Sequence, residues 1–346
     1  MSASKGVPVT ETAAAERVAG WSWTPFLILV LVLLALAPAF LVEGYRLFQL
    51  TLAVIYALAI LGLNIVTGYN GQISLGHGAF YAVGAYTAAI MMAHFELPYW
   101  TTLPVAAVVC AALGYGIGFP ALRLGSLYLA LTTFSLAVAV PQILKYKAFE
   151  DWTGGVQGLF IFKPDPPFAL PLTNDQWMYI FTVLVAAALF ILSWNLLRSR
   201  IGRAMLAIRD QPVAAEAMGM NLAQLKTRTF AVSAMITGIA GALSAIAVEF
   251  VSPDSFAVTL SITLFVGMVV GGVASILGTV FGGLFVVFVP NLAENISKAA
   301  PGVIYGIILI AFLFLLPTGF AGFLRRLVLP LLRRRRSTQA MSIKGR

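Results

Sequence analysis

Residues 47–67 read LFQLTLAVIYALAILGLNIVT and contain no charged side chain. A helix needs about 20 apolar residues to cross the hydrocarbon core of a bilayer, so this stretch alone predicts a membrane-spanning helix. The rest of the chain is similar: 60% of its 346 residues are hydrophobic and only 10% are charged. Because an average soluble domain has about 25% charged residues, the composition excludes soluble globular and disordered proteins. The long unbroken apolar runs also argue against a β-barrel, whose strands alternate in polarity over about ten residues.

The apolar runs predict an all-α, polytopic helical membrane protein with about 8–10 transmembrane spans. Residues 261–290 would make a helix of about 45 Å, which is too long for one untilted span. Glycines near 271–278 and near 68–78 suggest broken or re-entrant helices there, related either by an internal repeat or by chance. The ten candidate spans are 24–42, 47–67, 78–93, 101–122, 127–144, 176–196, 229–250, 261–273, 275–290 and 303–316.

Positive charge is concentrated in two zones, 198–228 and the tail 323–346, and the net charge is +9. Beside membrane spans, such zones are more typical of cytoplasmic loops than of nucleic-acid binding. An even number of crossings must then separate them. We expect a disordered cytoplasmic leader (1–23), a permease domain (24–322) and a basic tail (323–346), with both termini cytoplasmic. The acidic, proline-rich segment 146–175 would face the other side.

Two segments place polar side chains inside apolar sequence. In the first, Asn70, Gln72, Ser74 and His77 interrupt a glycine-rich stretch. Irregular backbone at membrane depth persists only where protein buries it or a wet cavity meets it. These residues are therefore either candidates for a substrate pathway or part of a simple loop between spans. As a proton relay His77 would need an ionisable partner, so a structural, hydrogen-bonding histidine is the favoured interpretation.

The second polar segment lies in the span 127–144. Thr132, Thr133 and Ser135 put three hydroxyl groups inside an apolar helix. Such hydroxyls can donate back to the carbonyl four residues earlier, or they can face a polar pathway. They are our second group of pathway candidates.

The basic loop 198–228 predicts a short helix outside the membrane. Asp210 is a suitable N-cap residue and Pro212 is tolerated in a first helical turn. Ala214, Ala215, Glu216 and Ala217 give the helix a small surface, and Gly219 would end it. A short capped helix of small residues can dock in the groove of a partner. The alternative, a solvated positive loop, explains the arginines but not this helix.

Several motifs together resemble one family, the LivM-type permeases of branched-chain amino acid ABC importers. The resemblance covers roughly residues 45–323, and the coupling loop differs from the general Glu-Ala-Ala pattern of ABC permeases, because Gly219 follows Glu216 by three residues. The motifs are Gly71-Gln72-Ile73-Ser74-Leu75-Gly76-His77-Gly78-Ala79-Phe80, Gly84-Ala85-Tyr86-Thr87-Ala88, Thr153-Gly154-Gly155, Ser199-Arg200-Ile201-Gly202-Arg203-Ala204, Gly267-Met268-Val269-Val270-Gly271-Gly272 and Pro317-Thr318-Gly319-Phe320-Ala321-Gly322.

The resemblance implies a permease subunit in a bacterial inner membrane that conducts leucine, isoleucine and valine. Its partners would be a second related permease, two ATP-binding cassette ATPases, an extracytoplasmic substrate-binding protein and the lipid bilayer, with no nucleic acid. The ATPases would contact Arg203, Asp210, Ala214, Ala215, Glu216, Ala217 and Gly219. Alternatives are the same machine importing urea, short-chain amides or other small amino acids and, more remotely, a stand-alone channel or secondary carrier.

The chain itself carries few groups for chemistry. It has no G-x-x-x-x-G-K-[ST] phosphate loop, so ATP would be used by partner subunits and no cofactor is expected. Glu249 is the main acidic candidate near a span, whereas proton-driven carriers usually need more intramembrane charge. No cluster of His, Cys and acidic residues has metal-ligand or catalytic spacing. We therefore predict that the chain has no metal site and no catalytic residue, and that it is not an enzyme.

Overall fold

A computed structural model of the chain describes residues 32–42, 44–121, 126–167, 171–296, 298, 300–316 and 318–323. The described part is almost entirely helical, which confirms the predicted fold class. Its helices are α1 (Val32–Leu41), α2 (Tyr45–Asn64), α3 (His77–Phe95), α4 (Tyr99–Ala121), α5 (Ser126–Leu144), α6 (Glu150–Thr153), α7 (Asn174–Arg198), α8 (Arg200–Asp210), α9 (Pro212–Ala217), α10 (Leu222–Val248), α11 (Val258–Gly271), α12 (Ile276–Ile296) and α13 (Pro301–Leu315).

Six helices in this part of the chain are long and apolar enough to cross a membrane, or seven if a bent pair around α5 is one span. Three shorter apolar helices, α1, α11 and α13, fall on the remaining candidate segments. The ten predicted segments therefore all meet a helix, although residues 24–31 of the first lie outside the described residues. The leader 1–23 and most of the tail 323–346 also lie outside them.

The start of α10 is the largest error in the predicted boundaries. The sequence places the span at 229–250, but the helix begins at Leu222. The side chain of Asn221 accepts a hydrogen bond from the backbone N–H of Gln224 at 2.9 Å and so caps the helix seven residues early. The last part of the basic loop is consequently the first two turns of a long helix.

Helix α10 lies at the centre of the fold and packs against α2, α3 and α4. Its residues 233–247 are almost all buried. The backbones of α3 and α10 meet at Gly84 and Gly238, where a Cβ on Gly84 would collide with the Gly238 carbonyl. Small residues permit this close approach, which is how helices pack in a membrane without a hydrophobic driving force between them.

The long helices give the molecule two distinct ends. Helix α7 has 25 residues, about 37 Å, so residues 146–167 and 171–173 lie at one end of it and residues 199–221 at the other. We call these the strand end and the basic end. At the strand end, β1 (Leu159–Phe160) pairs antiparallel with β2 (Phe250–Val251), with Leu159 opposite Val251.

Ion pairs hold the strand end together. The ammonium group of Lys163 lies 2.7 Å from Asp175 and 3.2 Å from Glu249, and Lys145 pairs with Asp254. Although burial alone would lower the pKa of Lys163, the two carboxylates outweigh it and the pKa is raised. Glu249 is thus an ion-pair partner at the end of α10, not an isolated acid within the membrane.

Both predicted helix breaks are present. In the first break, residues 65–76, helix α2 continues into a π-helix (Ile65–Tyr69) and the chain is irregular over residues 70–76 before α3 begins at His77. In the second break, residues 272–275, the chain passes from the end of α11 at Gly271 to the start of α12 at Ile276. With 14 residues, about 21 Å, α11 is shorter than the roughly 30 Å hydrocarbon core.

Candidate functional site

Two short helices form the basic end. Ser199 caps α8, since its hydroxyl accepts a hydrogen bond from the Ile201 N–H at 3.1 Å. Helix α9 begins with Pro212, whose fixed φ suits a first turn. Gly219 ends it, as predicted: with φ +82° it donates to the Glu216 carbonyl, while Met220 donates to Ala215. This pair of bonds is a Schellman motif, which satisfies the last carbonyls of a helix.

The predicted N-cap role of Asp210 is wrong. Helix α8 runs through Asp210, and Gln211 occupies the cap position of α9 without a side-chain hydrogen bond. The N–H of Gln211 donates to the Ala207 carbonyl, which keeps the Asp210 backbone within α8. That carboxylate instead accepts from Arg209 Nε at 2.8 Å.

Helix α9 presents an apolar surface outward. Val213 is 78% exposed and Met218 is 82% exposed, although both side chains are large and hydrophobic. Among the predicted coupling residues, only Ala215 is buried, and it anchors α9 to the protein. The exposed ones are Arg203, Asp210, Ala214, Glu216, Ala217 and Gly219.

The basic end touches the first helix break directly. Arg209 Nη1 donates to the Gly68 carbonyl at 2.9 Å, and Gln72 Nε2 donates to the Lys226 carbonyl at 3.3 Å. Gly71 takes φ +71° beside Arg209. Residues 72–77 then run alongside α10, from Lys226 to Ser233. Helix α3 therefore begins in the interior, at the buried His77.

A buried hydrogen-bond network surrounds His77 at the start of α3. Ser233 Oγ donates to the Gly62 carbonyl at 2.6 Å, so it accepts from His77 Nε2 at 2.5 Å. His77 Nδ1 is then the unprotonated nitrogen and accepts from Ser74 Oγ at 2.9 Å. Both ring nitrogens are satisfied, which agrees with the structural interpretation of this histidine.

Asn70 and Gln72 of this break are also buried. Among the described residues, neither atom of the Asn70 amide has a hydrogen-bond partner, and neither does Gln72 Oε1. Such groups are rare in protein interiors and cost about 1–3 kcal/mol each. The break therefore contains hydrogen-bonding capacity that this conformation does not use.

The three hydroxyl candidates of α5 divide into two kinds. Thr133 is buried, donates to Ala130 and accepts from the Leu75 N–H at 3.1 Å, so it joins the first break. Thr132 and Ser135 lie on the outer face of α5, and each hydroxyl donates to the carbonyl four residues earlier. The structure therefore groups Thr133 with Asn70, Gln72, Ser74 and His77, but not Thr132 or Ser135.

Sequence reasoning missed Asn64, which connects the two breaks. Its Nδ2 donates to the Ser275 carbonyl at 3.0 Å and its Oδ1 accepts from the Ala274 N–H at 2.8 Å. Ser261 of α11 likewise accepts from the Gly78 N–H at 2.9 Å. A lone polar residue inside an apolar run was the available signal, but its partner lies over 180 residues away.

In the described part of the chain, no three His, Cys, Asp or Glu side chains gather as metal ligands.

Comparison with known sequences points to one group of proteins. Residues 45–315 match the family described as branched-chain amino acid transport system, permease component. The chain is 35% identical over 255 residues to the high-affinity branched-chain amino acid transport system permease protein LivM of Escherichia coli K12. That match covers 67% of this chain and 59% of LivM, so it spans about three fifths of the relative's length.

Other relatives are more distant but matched over more of their length. BraD of Pseudomonas aeruginosa is 27% identical, over 79% of this chain and 93% of BraD. LivH of Escherichia coli K12 is 26% identical, over 79% of this chain and 92% of LivH. Both carry names of high-affinity branched-chain amino acid permease proteins. No solved structure matches the chain.

Proposed function

Since the chain belongs to the branched-chain amino acid permease family, we propose that it is the translocating membrane subunit of an ATP-driven importer. The cargo would be leucine, isoleucine and valine, delivered by an extracytoplasmic binding protein. The chain would work with a second related permease and two ATP-binding cassette ATPases. It would not hydrolyse ATP itself and would need no cofactor of its own.

The observation that carries this proposal is the exposed helix α9. A short helix with Val213 and Met218 pointing outward, fixed by Ala215 and the Gly219 cap, suits docking into an apolar groove of a partner. Because the neighbouring loop is basic, we assign this end to the cytoplasm, where ATPases would meet it. The strand end then faces the binding protein.

We further propose how the pathway candidates divide. A pathway between two permeases must be lined by outward-facing side chains, and Thr132 and Ser135 lie on such a face of α5. Asn70, Gln72, Ser74, His77 and Thr133 are buried in this conformation and would instead form the element that rearranges. Selectivity would rest largely with the binding protein, since the two hydroxyls proposed to line the pathway carry no charge.

The cargo can be tested through the binding protein. A tagged chain would be purified with its partners, and the copurified binding protein identified by mass spectrometry and titrated with leucine and with urea. Leucine binding supports the proposal. Binding of urea or a short-chain amide, without leucine, would keep the machine but replace its cargo.

The role of α9 can be tested by changing its end. Gly219→Val puts a β-branched residue at φ +82°, where only glycine is comfortable, and should unravel the cap. We expect ATPase stimulation by liganded binding protein to fall by about tenfold, the effect of roughly 1.4 kcal/mol. Glu216→Gln is a second variant of α9 that keeps the helix, and we expect it to have a smaller effect. Wild-type coupling in both variants would contradict the docking role.

A further inference from the structure

We propose that Arg209 is the positioning residue that transmits movement of α9 to the first helix break. This inference rests on the proposed function, because it concerns how ATPase movement at the basic end reaches the membrane domain. Arg209 lies in the last turn of α8, three residues before α9 begins at Pro212. A displacement of α9 therefore moves its guanidinium group directly.

The guanidinium group caps the end of the π-helix. Its Nη1 donates to the Gly68 carbonyl at 2.9 Å, at a helix end where carbonyls lack partners within the helix. A cation at this position also interacts favourably with the negative end of the helix dipole. The Asp210 carboxylate holds Nε at 2.8 Å and so fixes the direction in which the guanidinium group points.

Close packing reinforces this hydrogen bond. A Cβ on Gly71 would lie 2.7 Å from Arg209 Cγ and 3.3 Å from its Cβ, so the break and the arginine stem are in contact. On the other side, Gln72 donates to the Lys226 carbonyl at the start of α10. The break is thus held between α8 and α10, and it must respond when they move relative to each other.

The break also has features that favour a rearrangement. It contains a π-helical turn, and the buried amide of Asn70 has no hydrogen-bond partner within the described ranges of the chain. These features disfavour the present conformation locally and leave groups free to pair in another. From Gly68 the movement can pass to the second break, because Asn64, one turn earlier, bonds Ala274 and Ser275.

The test compares two arginines of one helix in the complete complex. Arg209→Gln removes the charged cap, while Arg200→Gln removes an equal charge from an exposed position on α8. Both complexes would be placed in liposomes with their ATPases and binding protein. We expect Arg209→Gln to keep ATP turnover but import roughly tenfold less leucine per ATP, the effect of one charge-assisted hydrogen bond. Arg200→Gln should match the wild type.

A conservative variant separates transmission from simple stability. Arg209→Lys keeps the charge and one donor toward Gly68 but loses the planar fork, so leucine per ATP should recover in part. If Arg209→Gln fails to assemble, Asp210→Asn tests the same link from an exposed side chain and should lower the ratio about twofold.

The failures are distinguishable. A wild-type complex that hydrolyses ATP but imports no leucine contradicts the proposed function and this inference with it. A wild-type complex that imports leucine, beside Arg209→Gln and Asp210→Asn complexes with the same leucine per ATP, overturns the role of Arg209 alone.

Discussion

The two helix breaks, residues 65–76 and residues 272–275, have similar sequences and different surroundings. Each has a glycine followed by a serine three residues later, Gly71 with Ser74 and Gly272 with Ser275, and each glycine has positive φ. The first break contacts the basic end through Arg209. The second packs at Gly272 against Gly319 and Ala321 near the end of the described chain.

The difference shows what glycine-rich sequence can and cannot determine. Glycine allows the helix to stop, but the polar residues nearby decide what the break is joined to. The first break contains Gln72 and Ser74, and with His77 of α3 and Thr133 of α5 it forms a buried network. The second offers Asn64 its backbone groups, and its Ser275 hydroxyl accepts a hydrogen bond from the nearby Gly278 N–H. We therefore expect the first to be important for movement and the second mainly for stability.

Replacing Asn64 should have the largest effect, because the replacement removes the hydrogen bonds that join the two breaks. Asn64→Leu removes the hydrogen bonds that the half-buried Ala274 N–H and Ser275 carbonyl make with Asn64, which should lower the free energy of unfolding by about 2–5 kcal/mol. Denaturation of the purified protein in detergent measures this. Asn291→Leu is the matched control, since Asn291 only bonds a carbonyl of its own helix. Equal stability of the two variants would mean that the breaks are not joined through Asn64.

Removing the His77 ring tests the polar network of the first break. His77→Ala loses hydrogen bonds to Ser74 and Ser233 and leaves a cavity beside Phe80 and Phe230. We expect a loss of about 2–4 kcal/mol in unfolding free energy, measured by the same denaturation experiment. His94→Ala at the exposed strand end provides the control, and a similar small loss in both would show that the network adds nothing.

Alanine at the two positive-φ glycines should separate movement from stability. At Gly272, φ is +121°, which side chains rarely adopt, so Gly272→Ala should destabilise by about 1–3 kcal/mol. Gly71→Ala, at φ +71°, should cost about 1 kcal/mol but also displace Arg209 and lower leucine import per ATP. The comparison fails if Gly272→Ala uncouples transport and Gly71→Ala does not.

The smallest expected effect is the difference in unfolding free energy between variants of two adjacent threonines. Thr133→Val leaves the Leu75 N–H of the first break without its acceptor and should cost about 1 kcal/mol. Thr132→Val removes only a bond to its own helix and should change the unfolding free energy by less than about 0.5 kcal/mol. Thermal unfolding of both variants checks this order, and the reverse order would contradict the grouping of Thr133 with the break.

The sequence predicts features that depend on neighbouring residues, but not contacts between residues far apart in the chain. Apolar run length predicted the helices, glycine clusters predicted both breaks, and Gly219 predicted the end of α9, because each depends on neighbouring residues. The Asp210 cap and the start of α10 were wrong since Gln211 and Asn221 take the cap positions. The partners of Asn64 and Arg209 could not be predicted, because packing brings together residues more than 140 positions apart.

Leucine uptake into sealed liposomes, with and without ATP, tests most directly whether this chain is driven by partners at its basic end. The complete complex would be reconstituted, and labelled leucine counted inside the liposomes with binding protein outside. We expect accumulation against a gradient only when ATP and both ATPases are present. Leucine flux through the permease subunits alone, without ATPases, would contradict a partner-driven importer and identify a channel or carrier instead.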